Sequence, residues 1–162
     1  MKKKAISISI KEKNEMWQYS VKIKNGSEET GCKSFEYPRP ELVKTLKDFG
    51  EYIPLLMGIP KQYIRSAGIA GATFGYTKDG EKMNGLSLGV LLLMNNGRAF
   101  EFRTPEINLR LDNPDLQEST MWEDRFTKQA LTLNDEIILY AEGKRAQTEL
   151  DFDNEQEQEK EQ

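Results

Sequence analysis

Residues 63–103 read YIRSAGIAGATFGYTKDGEKMNGLSLGVLLLMNNGRAFEFR, and this stretch decides the fold class. Two apolar runs, Tyr63 to Tyr76 and Met83 to Met94, flank Thr77-Lys78-Asp79-Gly80. Asp-Gly between such runs is a strong hairpin signal, because both residues accept the positive φ that a tight turn needs. Asn95-Asn96-Gly97 supplies a second turn into Ala99 to Arg103, where Phe100 and Phe102 share one face. The three segments predict an antiparallel meander. Gly68, Gly71, Gly75, Gly85 and Gly89 lie within it and predict room for a helix packed on the sheet, with bulges, curvature or close backbone approach as alternatives.

On the N-terminal side, Ile6, Ile8 and Ile10 alternate with Ser7 and Ser9, and Trp17, Tyr19, Val21 and Ile23 alternate with polar residues. Period two predicts two half-buried strands, joined as a hairpin by Glu12 to Glu15. Asn25-Gly26 is a turn, and Ser27 to Lys33 reads as a loop. Pro40 suits a first helical position, and Leu42, Val43, Leu46, Phe49, Ile53 and Leu56 recur at helical spacing up to Gly58, with a kink or early stop expected at Pro54. After a connector from Pro105 to Pro114, Thr120-x-x-Glu123 resembles a capping box. Trp122, Phe126, Ala130, Leu133, Ile137 and Ala141 then form one stripe that stops at Gly143. The order ββαβββα predicts an α+β fold in two layers: a mostly antiparallel sheet of about five strands with two helices packed on one face.

Composition narrows the chemistry. There are 162 residues and no histidine, which removes the commonest general base and metal ligand together. Cys32 is the single cysteine, so no intramolecular disulfide or cysteine zinc site is available. The longest strongly apolar run, Leu86 to Met94, is too short to span a bilayer, and a cytoplasmic location without membrane partners is expected. Asp79, Glu81 and Lys82 sit in a predicted turn, Glu101 and Arg103 read as an exposed strand pair, Cys32 has no base beside it, and Ser119 and Thr120 fit capping. No catalytic residue, metal site or cofactor is therefore assigned, and the chain is expected not to be an enzyme.

Charge divides the chain in two. The net charge is −4, but residues 149–162 carry seven acidic residues against one lysine, leaving residues 1–148 at +2. A single domain over 1–146 and an acidic tail over 147–162, disordered from about Glu155, are expected. Lys2, Lys3, Lys4, Lys11, Lys13, Lys22 and Lys24 make the N-terminal region basic. Solvated lysines on the outer face of a hairpin explain this economically. The functional alternative is a single-stranded DNA site using Lys2, Lys3, Lys4, Lys22 and Lys24 with Trp17 and Tyr19 as stacking platforms, unless period-two burial takes those aromatics into the core.

The tail offers one linear motif. Gln147-Thr148-Glu149-Leu150-Asp151-Phe152 resembles the bacterial sliding-clamp-binding peptide, Gln-x-x-Leu-x-Phe. The resemblance implies that the Gln147 amide bonds at a pocket rim while Leu150 and Phe152 fill its apolar floor. Folding of Leu150 and Phe152 back onto the domain beside Ile138 and Ala141 is the alternative. The whole chain is also similar to small uncharacterised phage proteins from the early replication and recombination gene blocks of phages of Gram-positive hosts. The likeness rests on the strand pair, the helix with an internal proline, the glycine-containing sheet, and the ending Gly143-Lys144-Arg145-Ala146-Gln147 with Leu150. Asp151 between Leu150 and Phe152, and the ten residues beyond Phe152, depart from that pattern.

These resemblances imply a non-enzymatic phage accessory protein of DNA replication or recombination, in the host cytoplasm, partnered by a sliding clamp or another replication or defence protein. An inhibitor of a host nuclease or defence complex and a single-stranded DNA-binding protein are the alternatives.

Overall fold

A computed structural model of the chain describes residues 3–109 and 121–146. Its strands are β1 (Lys3–Lys13), β2 (Met16–Asn25), β3 (Glu28–Ser34), β4 (Ile64–Tyr76), β5 (Met83–Met94), β6 (Ala99–Arg103) and β7 (Ile107–Asn108). The helices are α1 (Pro40–Phe49), α2 (Ile53–Met57) and α3 (Trp122–Ala141). Every strand pairing is antiparallel, in the order β3-β2-β1-β4-β5-β6, with β7 also on β5. The sheet has seven strands where about five were expected. One addition is Glu28–Ser34, read from the sequence as a loop. Its mostly exposed, polar residues give no apolar period, and pairing with β2 supplies the order instead. The other is the short β7, which with β6 borders β5.

Among the described residues, all the helical packing falls on one face. Ile8, Tyr19, Val21, Ile23, Ala72, Phe74, Leu86, Leu88, Val90 and Leu92 are buried in one cluster with Leu42, Leu46, Phe49 and Ile53, and with Phe126, Ala130, Leu133 and Ile137 of α3. Where the helical segments meet, Phe126 packs its ring against Phe49 (5.1 Å between centroids) and Tyr52 (5.2 Å). Such aromatic pairs add to the area they bury, by about 0.5–1.5 kcal/mol each.

Several local expectations shift by a residue or a turn. The first hairpin closes on Asn14 and Glu15, both at positive φ, so Lys13 faces Met16 directly. A bulge between Ala5 and Ser7 puts Ala5 in the core in place of the expected Ile6, which is only partly buried. The backbone of Ala5 is held from both sides: its N–H donates to Asn134 Oδ1 (3.2 Å) on α3, and its carbonyl accepts from the Tyr76 hydroxyl on β4. Asn134 Nδ2 in turn donates to that hydroxyl (2.8 Å).

The helix expected from Pro40 to Gly58 breaks before its proline, at a 3₁₀ turn over Gly50–Tyr52. Pro54 has no N–H for the Gly50 carbonyl, and Gly50 itself lies so close to the Ala67 carbonyl of β4 that a β-carbon would collide. Met121 holds the N-cap position of α3, so Glu123 stands at the second helical position and the box expected from Thr120 is out of register; Thr120 itself lies outside the described residues. The stop is as expected. Gly143 (φ 98°) donates to the Tyr140 carbonyl (3.1 Å) and Lys144 to that of Leu139 (2.9 Å), the reciprocal pair of a Schellman motif.

Candidate nucleic-acid interface

Among the described residues, no helix packs on the opposite face of the sheet. Alternation and register determine what that face displays. Since Tyr19, Val21 and Ile23 point to the helices, Ser20, Lys22 and Lys24 point away, and the pairings carry this across all the strands. One row reads Lys33, Ser20, Ser9, Gly71, Gly89, Arg103, from β3 to β6. The next reads Gly31, Lys22, Ser7, Thr73, Ser87. These two central rows combine small or hydroxylic residues with three cations and contain no carboxylate.

The carboxylates of this face sit in the flanking rows. On one side Glu29 pairs with Lys24, which pairs with Lys4, and Glu106 lies over Gly75 and Gly85. On the other side Lys11 pairs with Gln18, and Leu91 with Glu101. Lys22 Nζ lies 3.7 Å from Glu29 Oε1, an exposed diagonal pair worth little energetically. Small side chains between longer neighbours leave two depressions. One, of about 310 Å³, is bordered by Ser9, Lys11, Gly71, Gly89, Glu101 and Arg103. The other, of about 320 Å³, is bordered by Ser7, Ser9, Ser20, Lys22, Gly31 and Lys33. Ser9 belongs to both.

The glycines of the meander thus follow the alternative reading, bulges and close backbone approach, and not the expected room for a helix. Gly71, Gly75, Gly85 and Gly89 are on the face away from the helices, so they make no room for a helix. A β-carbon on Gly71 would stand 3.0 Å from the Ile8 carbonyl, while Gly75 and Gly85 leave the space that the Glu106 side chain fills.

The residues singled out in the sequence separate into groups. Lys22 and Lys24 share the open face, while Lys4, paired with Lys24 by register, carries its ammonium 5.6 Å over the Tyr76 ring beside the β4–β5 turn. Lys3 projects to the helix side, where Nζ bonds Glu142 Oε1 at 2.6 Å. Tyr19 goes into the core, as its period-two position allows, and not to a stacking site: it is 6% exposed and packs against Tyr140 (5.9 Å between centroids) and Tyr37 (6.3 Å), so it offers no face to a base. Burial and the nearby Tyr37 and Tyr140 push its phenol pKa up. Trp17 shares the helix-side face by register but, two residues from the turn, remains half exposed; it is not beside Lys22 and Lys24.

Lys2, Gln147, Leu150 and Phe152 lie outside the described residues, as do Ser119 and Thr120. Lys11, Lys33 and Arg103, together with the Ser and Gly floor, were not assigned from sequence. Outward alternation marks Ser7 and Ser9, but nothing local joins Lys33 to Arg103, which stand at opposite edges.

The other polar candidates have structural partners. Asp79 accepts from the Thr77 hydroxyl and from the Glu81 N–H (3.0 Å), and these bonds hold its carboxyl below the usual carboxylate range. The partly buried Cys32 has Arg145 Nη2 4.0 Å from its sulfur. That guanidinium lies 3.5 Å over the Tyr140 ring and pairs with Glu36 at 3.5 Å. Among the described residues no three Cys, Asp or Glu side chains gather where they could hold a metal ion, and no helix is long and apolar enough to cross a membrane. No protein-family model matches the chain, and comparison with curated proteins and with solved structures gave no match.

Proposed function

We propose that the chain is a non-enzymatic accessory protein of phage nucleic-acid metabolism that binds nucleic acid on the open face of its sheet. The observation that carries this reading is the pair of central rows, which place Lys22, Lys33 and Arg103 around a floor of serine and glycine with no carboxylate between them. Cations at that spacing release counterions from a phosphate backbone, and serine hydroxyls donate to phosphate oxygens.

Retention on heparin and gel shift with a mixture of single-stranded and duplex DNA at low salt test it directly. The expected result is a complex that weakens steeply with salt and is lost in a Lys22→Ala, Lys33→Ala, Arg103→Ala variant that still folds. Absence of any shift with the wild type at low salt would sink the reading.

A second reading rests on the tail sequence. Gln147, Leu150 and Phe152 form a clamp-binding type of peptide that starts one residue past Ala146, whose N–H bonds the Tyr37 carbonyl (3.1 Å). In this reading the tail docks on a bacterial sliding clamp in the host cytoplasm while the sheet holds nucleic acid. Calorimetry with a clamp should give micromolar binding that disappears in Gln147→Ala and in the Leu150→Ala, Phe152→Ala double variant; no heat with the wild type discards it.

A further inference from the structure

The open face also has a direction, and we infer from it that the ligand is a single-stranded phosphodiester chain lying across the strands and held by its backbone. This inference rests on the nucleic-acid reading above and goes further by naming the ligand's class and path. Negative charge on this face sits in the flanking rows. A polyanion running along the strand direction would leave the central rows and meet Glu29 and Glu106 on one side or Glu101 on the other. A polyanion running across the strands stays on Lys33, Ser20, Ser9, Gly71, Gly89 and Arg103, beginning and ending on a cation, and passes Glu101 only at the rim of one hollow, where Lys11 and Arg103 also stand. Five inter-strand steps of about 4.8 Å make that path about 24 Å long.

Shape favours one strand over two. Both depressions lie on the path and meet at Ser9, and each is concave. A duplex is stiff over about 150 base pairs and touches a sheet face tangentially, so it cannot bend into two neighbouring hollows. Its grooves are entered by a projecting helix or ribbon, and this face projects neither among the described residues. A single strand follows the floor.

Side-chain chemistry then sets the mode of reading. The two rows contain no aromatic ring for a base to stack on: Tyr19 is buried on the other face, and Trp17 shares that other face. Contacts are left to Lys, Arg, serine hydroxyls and exposed backbone, which recognise phosphate and sugar whatever the base. Binding is therefore sequence-independent and strongly salt-dependent.

Fluorescence anisotropy of the full chain with dT20, dC20, rU20 and a 20-base-pair duplex tests this, with Lys33→Glu and Arg103→Glu as end-of-path reversals and Lys24→Glu as an off-path control. All variants are checked for an unchanged unfolding midpoint. The expected pattern is equal affinity for dT20 and dC20, a duplex weaker by about tenfold or more, and a log-log salt slope of about −2 for three phosphate contacts to a single strand, from Lys33 and Arg103 at the ends and Lys22 on the border of one hollow. Each end-of-path reversal should weaken binding by about tenfold, and Lys24→Glu by about twofold or less.

Equal or tighter duplex binding, or a Lys24→Glu loss matching that of Arg103→Glu, overturns the across-strand single-strand site while leaving nucleic-acid binding standing. Failure of every probe removes both. Selective binding of rU20 over dT20 keeps the path and assigns the strand as RNA.

Discussion

The two faces of this one sheet are built from the same strands and differ in almost every physical respect. The helix side is closed by Leu88, Val90, Phe49 and Phe126, all at 1% exposure or less, and its energy is the removal of apolar area from water. Among the described residues the other side is mostly serine, glycine and charged side chains, with no large side chain fully buried, so it adds little to stability. The two faces divide the labour. Stability comes from one face, and the second is free to carry charge and hollow shape.

Removing Phe126 is the largest test of that comparison. Phe126→Ala leaves a cavity between Phe49 and Tyr52 and should cost about 3–5 kcal/mol in urea unfolding. Ser9→Ala, at the centre of the open face, should fall within about 0.5 kcal/mol of the wild type. Comparable losses in the two variants would erase the distinction between the faces.

A smaller effect is expected where the open face has its own packing. Gly85→Ala forces the Glu106 side chain aside and should cost about 1–2 kcal/mol, by the usual penalty of overpacking. In a Glu106→Ala background the same change should be nearly free, so the double-mutant cycle should show a coupling energy above about 0.5 kcal/mol. Additive costs would mean that Gly85 is needed for its backbone and not as a seat for Glu106.

The smallest effect concerns one carboxylate on the closed side. Burial raises the pKa of Glu136, while Arg39, 3.9 Å away, pulls it down by less. A raised native pKa means that the folded chain holds the proton more tightly than the unfolded one. Stability from this group is therefore full below the ordinary carboxylate pKa, about pH 4, and is lost as pH rises through the raised native value. Glu136→Gln should be more stable than the wild type at pH 7, with the gap closing towards pH 4 in thermal unfolding. A variant less stable at pH 7 would show that the pair with Arg39 outweighs desolvation.

Much of the closed face was legible in the residues. Period two in Tyr19, Val21 and Ile23, helical spacing in Leu42, Leu46 and Phe49, and the Asp79-Gly80 and Asn96-Gly97 turns each report a local preference that the fold keeps. Legibility failed where a neighbour overrode the local pattern. Ile6 lost its inward place to Ala5 because a bulge there lets Asn134 and Tyr76 satisfy the Ala5 backbone. Residues 28–34 became a strand because β2 presented an edge to pair with. The meander glycines, read as space for a helix, turned out to face away from it, since alternation gives two sides but does not say which one the helices will take.

By itself, then, the sequence determined the class of fold, the turns, the helical stripes and the exclusion of histidine chemistry, because each depends on residues near one another along the chain. The open face was decided only by tertiary structure. Lys33 and Arg103 are 70 positions apart, and they share a row solely because six strands align in one register, a long-range pairing that no local spacing encodes.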